Sequence, residues 1–423
     1  MKPFLLIVVL LASVLVHAGE LRIVQPETVG FSTERLNHIK AFTQREVDEG
    51  RLAGVVTLVA RHGKIVHYEA VGNYGVDNDK PMDKDALFRI YSMTKPITAV
   101  AMMMLYEEGK FQLGDTVSKY LPEFAEQKII RDGELVAARS SMTIEQLMTH
   151  TAGLVYYNLP SDHPARPAFD AADPAGSNNL EEFVDRLSTV PLQFEPGTRY
   201  YYSYAFDVLG ALIEQISGIT LDAFFREKIF TPLEMRDTYF NVPDEKLHRL
   251  ATNHYWDREN KALAVAPEGG MPPPQGATLF SGGGGLISTA MDYMIFCEML
   301  RNGGSYNGVR ILGPKTVQYM TIDHLTAKVR NEGASEFPAS HLYPGHSFGL
   351  GVSVITDPDQ AQVISSKGAY SWGGIANTKF WIDPEEDLVA ILMTQVLGSP
   401  WSDATRFNMK IATYQALIEL QAD

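Results

Sequence analysis

Behind the run Tyr91-Ser92-Met93-Thr94-Lys95-Pro96, the apolar positions Val100, Ala101, Met104 and Leu105 recur at helical spacing and stop at Gly109. That period predicts a buried helix. Proline has no amide hydrogen and clashes inside a helix, so Pro96 belongs in a first turn and the helix begins near Ser92. Upstream, Thr33 to Glu49 alternates apolar and charged positions at helical period. Ala53 to Ala60 and Lys64 to Val71 then predict two strands, joined by the tight turn Arg61-His62-Gly63-Lys64. A helix followed by a hairpin opens an antiparallel sheet with helices on one side.

Between about Phe111 and Gly285 strand signals are sparse and loops are long. Thr143-Ile144-Glu145-Gln146 has the capping-box pattern before Leu147-Met148, and His150-Thr151-Ala152-Gly153-Leu154 closes that short helix. Tyr156 to Asn179, rich in Pro, Asp and Ala, reads as a surface excursion. Asp207 to Ile216, ended by Ser217-Gly218, and Leu221 to Ile229 are further helices. Gly282-Gly283-Gly284-Gly285 lacks the Lys-Ser or Lys-Thr of a phosphate loop and the strand that would precede one, so it predicts close backbone packing.

Ile287 to Arg301 is helical. Strands return over Leu350 to Ile355, Gln362 to Ser366, Thr378 to Ile382 and Leu388 to Thr394, the last two separated by the turn Asp383-Pro384-Glu385-Glu386-Asp387. Phe407 to Leu420 closes the chain as an amphipathic helix. The fold class is therefore α+β: an antiparallel sheet flanked by helices, with a mostly helical insert. The sheet unit takes residues 19–110 and 286–423, the insert 111–285, and a cleft is expected between them.

Composition narrows the function. The chain has 423 residues, 45% hydrophobic and 21% charged, ordinary for a globular protein with a large core. A net charge of −15 excludes nucleic acid or an anionic membrane engaged through a basic face. Residues 1–18 read as a secretory signal, with Lys2, the apolar run Phe4 to Leu11 and the small-residue cleavage site Val16-His17-Ala18. The mature chain is expected to be secreted or periplasmic, with no membrane span, since the apolar run is too short for an ordinary transmembrane helix. Cys297, the one cysteine, leaves no internal disulfide and lies in an apolar context that suits a buried filler.

The first turn of the predicted helix carries candidate chemistry. Ser92 and Lys95, three apart, share one helix face, so the amine can reach the hydroxyl, and a serine needs such a partner to become nucleophilic. The positive end of the helix dipole favours a serine alkoxide and disfavours a charged lysine. For Lys95 to act as a base at neutral pH, burial and dipole must depress its pKa at a cost of roughly 4 kcal/mol. The same residues would also suit an ordinary helix start, with Ser92 as a cap and Lys95 in solvent.

Pro196-Gly197-Thr198-Arg199-Tyr200-Tyr201-Tyr202-Ser203-Tyr204 leads into the Asp207 helix, and a phenol near a lysine can shuttle protons as acid or base; residue chemistry alone does not select one tyrosine. Gly368-Ala369-Tyr370-Ser371-Trp372-Gly373-Gly374-Ile375 precedes a strand, where two glycines admit a ligand close to the backbone and the next amide is an oxyanion donor. His150 is either a general base or a helix-end histidine bonding backbone.

Gly345-His346-Ser347-Phe348-Gly349 matches the Gly-x-Ser-x-Gly of α/β-hydrolases, but no histidine follows His346 and the segment leads into a strand, so it is not a nucleophile elbow. No His-Glu-x-x-His occurs, and the chemistry at Ser92 needs no metal or organic cofactor.

Ser92-Met93-Thr94-Lys95, Tyr202-Ser203-Tyr204 and Trp372-Gly373-Gly374, in that order and at those separations, resemble the three motifs of the serine hydrolases related to class C β-lactamases and penicillin-binding proteins. The likeness is nearest to the family VIII carboxylesterases and runs through nearly the whole mature chain. It implies Ser92 as acyl-accepting nucleophile, Lys95 as its proton acceptor, Tyr202 as acid and base for leaving group and water, and the amides of Ser92 and Ile375 as oxyanion donors beside Trp372, Gly373 and Gly374.

Two departures matter. Tyr204 stands where the lactamases have Asn, and Trp372-Gly373-Gly374 where they have Lys-Thr-Gly, which removes groups that hold a β-lactam's amide and carboxylate and adds an apolar wall. The expected substrate is a small ester, with a β-lactam, a D-alanyl peptide or non-catalytic capture of an acyl compound as alternatives.

Overall fold

The two ends of the chain meet in one sheet. The computed structural model describes residues 21–131, 133–267, 272–332 and 342–421; the expected leader at 1–18 lies outside the described residues. From the N-terminal end come β1 (Arg22–Ile23), β2 (Gly54–Arg61), β3 (Lys64–Gly75) and β4 (Asn78–Pro81). From the C-terminal end come β5 (His346–Phe348), β6 (Ser353–Ile355), β7 (Tyr370–Gly373), β8 (Lys379–Asp383) and β9 (Leu388–Met393).

The strand order is β1-β3-β2-β9-β8-β7-β6-β5, with β4 on the side of β3. All neighbours are antiparallel except β1 on β3. The hairpin turn between β2 and β3 has positive φ at both His62 (53°) and Gly63 (68°), the requirement of the hairpin turn whose twist matches its strands. The long-range join is β9 on β2, with Ile391 opposite Leu58 and Val389 opposite Ala60.

β2 is buried along its whole length because both sheet faces are covered. Val55, Val59, Trp381 and Leu392 pack with α1 (Thr33–Asp48) and with the last helix, Ser402–Tyr414. Val56, Leu58, Phe380 and Ile391 pack in a larger core with α2 (Thr94–Glu107), with α4 (Ala205–Ser217) and with α5 (Ala290–Arg301). The expectation of helices on one side is thus corrected: the alternating pleat of central strands sends apolar side chains both ways, and each set needs a layer. Cys297 lies buried in α5, where desolvation pushes its thiol well up.

Other boundaries move for identifiable reasons. Gln362 to Ser366 is not a strand: Gln362, at φ 53°, ends the short helix Pro358–Ala361, and β6 pairs instead with β7. The strand predicted from Leu350 starts only at Ser353, because Leu350 donates its amide to Met320 and Gly351 takes φ 88°. The last helix, α6 (Ser402–Tyr414), starts earlier and ends earlier than its pattern. The residues after it leave the helix because the Ser32 amide takes the Ala416 carbonyl and the buried Arg61 guanidinium takes the Glu419 carbonyl.

The helix from Leu221 passes into a wider turn over Arg226–Phe230, and Ile287–Ser288 bridges to Phe88–Arg89 before α5 begins. The capping box at Thr143 forms in both directions on α3 (Ile144–Met148).

Candidate active site

The chain enters α2 through a tight turn over Tyr91–Met93, and Tyr91 holds φ 45° there. A non-glycine residue in that region costs energy, and strain of this kind is tolerated where the surroundings fix it. Several do: Asn253 donates to the Tyr91 hydroxyl at 2.8 Å, Tyr293 donates to the Met93 carbonyl at 2.8 Å, and Leu286 donates to Thr94 Oγ1 at 3.2 Å. Ser92 is presented on this turn, and Lys95 follows in the first turn of α2, only 1% exposed.

Lys95 Nζ lies 3.3 Å from Ser92 Oγ and donates to the Gly283 carbonyl at 2.6 Å. The Tyr202 hydroxyl donates to Ser92 Oγ at 2.7 Å. Ser92 therefore sits between an amine and a phenol drawn from a segment 110 residues away.

His150 positions that phenol. Its carbonyl takes the Tyr201 amide at 2.9 Å, its Nδ1 accepts the Ser203 amide at 3.2 Å, and its ring packs 4.5 Å from that of Tyr202. Of the two roles weighed for His150, bonding backbone at a helix end is the one its geometry performs. Tyr200 points elsewhere, against Phe348.

Burial depresses Lys95 to about 7, against the opposing pull of the Asp207 carboxylate. A buried amine loses its hydration when charged, so the neutral form is favoured. The Tyr202 phenol is pushed up by burial, partly offset by its contacts with Ser92 and Trp372.

Three contributors were not singled out from the sequence. Asp207, in the first turn of α4, is buried; burial raises its carboxyl, while Lys95, the Ser281 hydroxyl and the Gly283 amide pull it down. An acid on the apolar stripe beside Val208 and Leu209 was the available signal. Gly283 supplies its carbonyl to Lys95 in a glycine run packed as tightly as expected: a Cβ on Gly282 would lie 2.4 Å from the Phe206 carbonyl oxygen.

Tyr156 corrects the surface excursion read over Tyr156 to Asn179. Its ring packs 5.3 Å from Tyr202 and 4.7 Å from Tyr204, with Lys95 Nζ 5.8 Å from its centre, and the helix Arg166–Ala172 that follows buries Phe169 against Tyr204. The aromatic content of Tyr156-Tyr157 outweighs the polar composition around it.

On the sheet side, Trp372 and Gly373 belong to β7 itself rather than to a turn before a strand, because the β7–β8 ladder pairs Trp372 with Phe380 and Gly373 with Lys379. Trp372 is buried between Tyr202 and Phe348. The following turn uses the Gly374 amide for Thr378 and the Asn377 amide for Gly374. The intervening residue, Ile375, is 48% exposed at the cleft. Gly374 rests on the backbone that precedes the nucleophile: a Cβ there would lie 2.5 Å from the Ile90 carbonyl oxygen. Gly374→Ala is therefore expected to slow labelling of Ser92 by a fluorophosphonate probe by about 10-fold or more while the protein still unfolds cooperatively, read by labelling kinetics alongside a denaturant curve.

These groups line one cleft of about 1350 Å³, with Ser92, Tyr156, Tyr202, Asp207, Trp372 and Ile375 at one end. A cleft-lining serine flanked by a depressed amine and a protonated phenol is an arrangement for acyl transfer. The Beta-lactamase family model matches residues 39–412.

The chain belongs to the β-lactamase family.

Within the β-lactamase family it is 34% identical over 362 residues to Protein Rv1367c of Mycobacterium tuberculosis, covering 83% of this chain and 88% of that protein. It is 29% identical over 393 residues to Esterase EstB of Burkholderia gladioli, covering 89% and 94%. Among solved structures it is similar to EstCE1, described as a hydrolase with promiscuous acyltransferase activity, at a TM-score of 0.77 and 28% identity, covering 90% and 99%. Unliganded simvastatin synthase LovD from Aspergillus terreus, at 0.78 and 22%, shares the fold. The protein is a serine hydrolase of this family, on an α+β scaffold with a central sheet.

Proposed function

We propose that the protein is an exported carboxylesterase that cleaves small esters through a covalent acyl-Ser92 intermediate. The observation that carries this reading is the placement of Ser92 Oγ between Lys95 Nζ at 3.3 Å and the Tyr202 hydroxyl at 2.7 Å, with Lys95 depressed to about 7.

In acylation, neutral Lys95 takes the Ser92 proton as Oγ bonds to the ester carbonyl carbon. The oxyanion is held by the amides of Ser92, in a first turn with no helical acceptor, and Ile375. When the ester C–O bond breaks, Tyr202 gives its proton to the departing alkoxide. In deacylation, water gives a proton to the Tyr202 phenolate and its oxygen bonds to the acyl carbon. Ser92 then leaves and recovers its proton from the Lys95 ammonium, so acid, alcohol and the starting enzyme are restored.

Trp372, an apolar wall where lactamases carry a lysine, supports an ester over a β-lactam; efficient nitrocefin turnover would reverse that ranking. The direct test is rapid mixing with a chromogenic short-chain ester. A burst of alcohol equal to the enzyme concentration, with an acyl mass added on Ser92, is expected, and linear release with no adduct would defeat the proposal.

Arg406 supports the oxyanion turn. A peptide group is planar and trans, so its C=O and N–H point in opposite directions. Arg406 Nη2 donates to the Gly374 carbonyl at 2.7 Å, which aims the Ile375 N–H of the same peptide the other way. Arg406→Ala is expected to lower kcat by roughly 10- to 100-fold with little change in KM, and Arg406→Lys to recover part of it. Equal loss in both, carried by KM, would remove Arg406 from this role.

A further inference from the structure

The cleft continues past Ser92 along the sheet and α6, and its far wall carries three cations, Lys379, Arg406 and Lys410. Among the described residues none of the three makes an ion pair. Lys379 donates to Ser371 Oγ at 3.1 Å, Arg406 is committed to the Gly374 and Thr378 carbonyls, and Lys410 Nζ stands 5.9 Å from the Trp381 ring. The acids nearby act on them without forming an ion pair: Asp403 favours the charged forms of Lys379 and Arg406, and Asp383 that of Lys410. Asp383 already accepts from the Tyr414 hydroxyl and the Ser366 and Glu386 amides, and Asp403 is exposed.

Desolvated cations repel one another and are costly without a partner. Burial, with the charges of Arg406 and Lys410, holds Lys379 well below the usual lysine range, and burial brings Lys410 to about 8. In a chain of net charge −15, three such groups on one substrate-facing wall call for an anion that the protein does not itself supply.

We infer that Lys379 and Lys410 form a subsite for a free carboxylate carried by the substrate at a distance from its scissile ester. This rests on the esterase reading of Ser92. The span follows from the strand: the Lys379 amine reaches Ser371, three residues before Gly374, and at about 3.3 Å per residue that is roughly 10 Å from the oxyanion turn. The lining of the cleft also includes the apolar Ile355, Val363, Ile364, Phe407 and Ile411, among polar groups such as Gln360, Gln362 and Ser371, and those apolar side chains suit a methylene spacer. The substrate class is thus the half-ester of a medium-length dicarboxylic acid, or an ester whose alcohol bears such a remote carboxylate. A carboxylate offers two oxygens to two ammonium donors.

The experiment compares 4-nitrophenyl octanoate with mono-4-nitrophenyl octanedioate, which differ only in the terminal carboxylate, on the wild type, Lys379→Met, Lys410→Met and Lys379→Arg. The ratio of kcat/KM, anionic over neutral, is expected to fall at least 10-fold in each methionine variant, mainly through KM, and to return in the arginine variant. Free octanedioate is expected to inhibit the wild type competitively and the methionine variants at least 10-fold more weakly.

A ratio unchanged in both methionine variants, with equal inhibition by octanedioate, overturns the subsite. If neither ester is turned over, the esterase reading fails, and the subsite is then read separately from stabilisation of the wild type by octanedioate in a thermal melt. Loss of that stabilisation in the methionine variants supports it, and its absence in the wild type overturns it.

Discussion

Ser92→Ala is expected to lower kcat for a 4-nitrophenyl ester by about 10⁴-fold or more, the scale on which loss of a nucleophile removes acyl transfer. Ser347→Ala, in the segment that imitates a nucleophile elbow, is expected to leave kcat within about 2-fold. The contrast follows from their surroundings. Ser92 Oγ opens on the cleft and touches both proton carriers, whereas Ser347 lies fully buried on β5 and gives its hydroxyl to Asp323.

Removing the Ser347 hydroxyl takes one donor from the half-buried Asp323 carboxylate, which keeps Arg330 and the Leu325 amide, at a cost of about 0.5–1.5 kcal/mol of stability without touching the reaction. Removing the Ser92 hydroxyl costs little stability and all of the covalent chemistry. Steady-state kinetics and urea unfolding on the two variants should therefore give opposite rankings. If Ser347→Ala is the inactive one, the mechanism above is wrong.

How much of this was legible depended on range. α1, the β2–β3 hairpin and α2 are set by local period, by a two-residue turn and by one proline, and the chain shows them directly. The capping box at Thr143 is equally local. Tyr202 is different. Three consecutive tyrosines present the same chemistry, and what sends the third to Ser92 is His150, which grips the backbone on both sides of it from 52 residues upstream. Motif spacing from the resemblance pointed to it; residue chemistry could not.

Asp207 shows the same limit. A helical stripe shows which face is buried but not that a carboxylate on that face meets Lys95 and a glycine loop from residue 281 onward. Arg406 could not be read either, since its role depends on the peptide after Gly374, brought to it by the sheet. The misread strand at Gln362 to Ser366 makes the complementary point, because apolar content makes a strand only where a ladder partner is free, and β7 already fills the place beside β6.

Lys95→Met should separate activity from stability. Loss of the base is expected to lower kcat/KM by about 10³-fold or more. In the wild type, the base is neutral only above its pKa, so kcat/KM should rise with pH through a midpoint of about 7. An amine in water, near 10.4, would give no such limb in the neutral range.

The stability effect has the opposite sign. The folded value, about 7, lies below the ordinary lysine value of 10.5, so between those limits the unfolded chain binds a proton that the folded chain does not, and stability rises with pH across that window. Below about 7 the full penalty of burying the ammonium is present, on the order of 4 kcal/mol. Methionine removes that penalty but leaves the Gly283 carbonyl without its 2.6 Å donor, at about 1–3 kcal/mol. The variant should therefore gain about 1–3 kcal/mol in denaturant unfolding at pH 6 and lose that gain toward pH 10. An inactive variant that is also less stable at pH 6 would mean that Lys95 is held charged by its surroundings, and a charged amine cannot take the proton from Ser92.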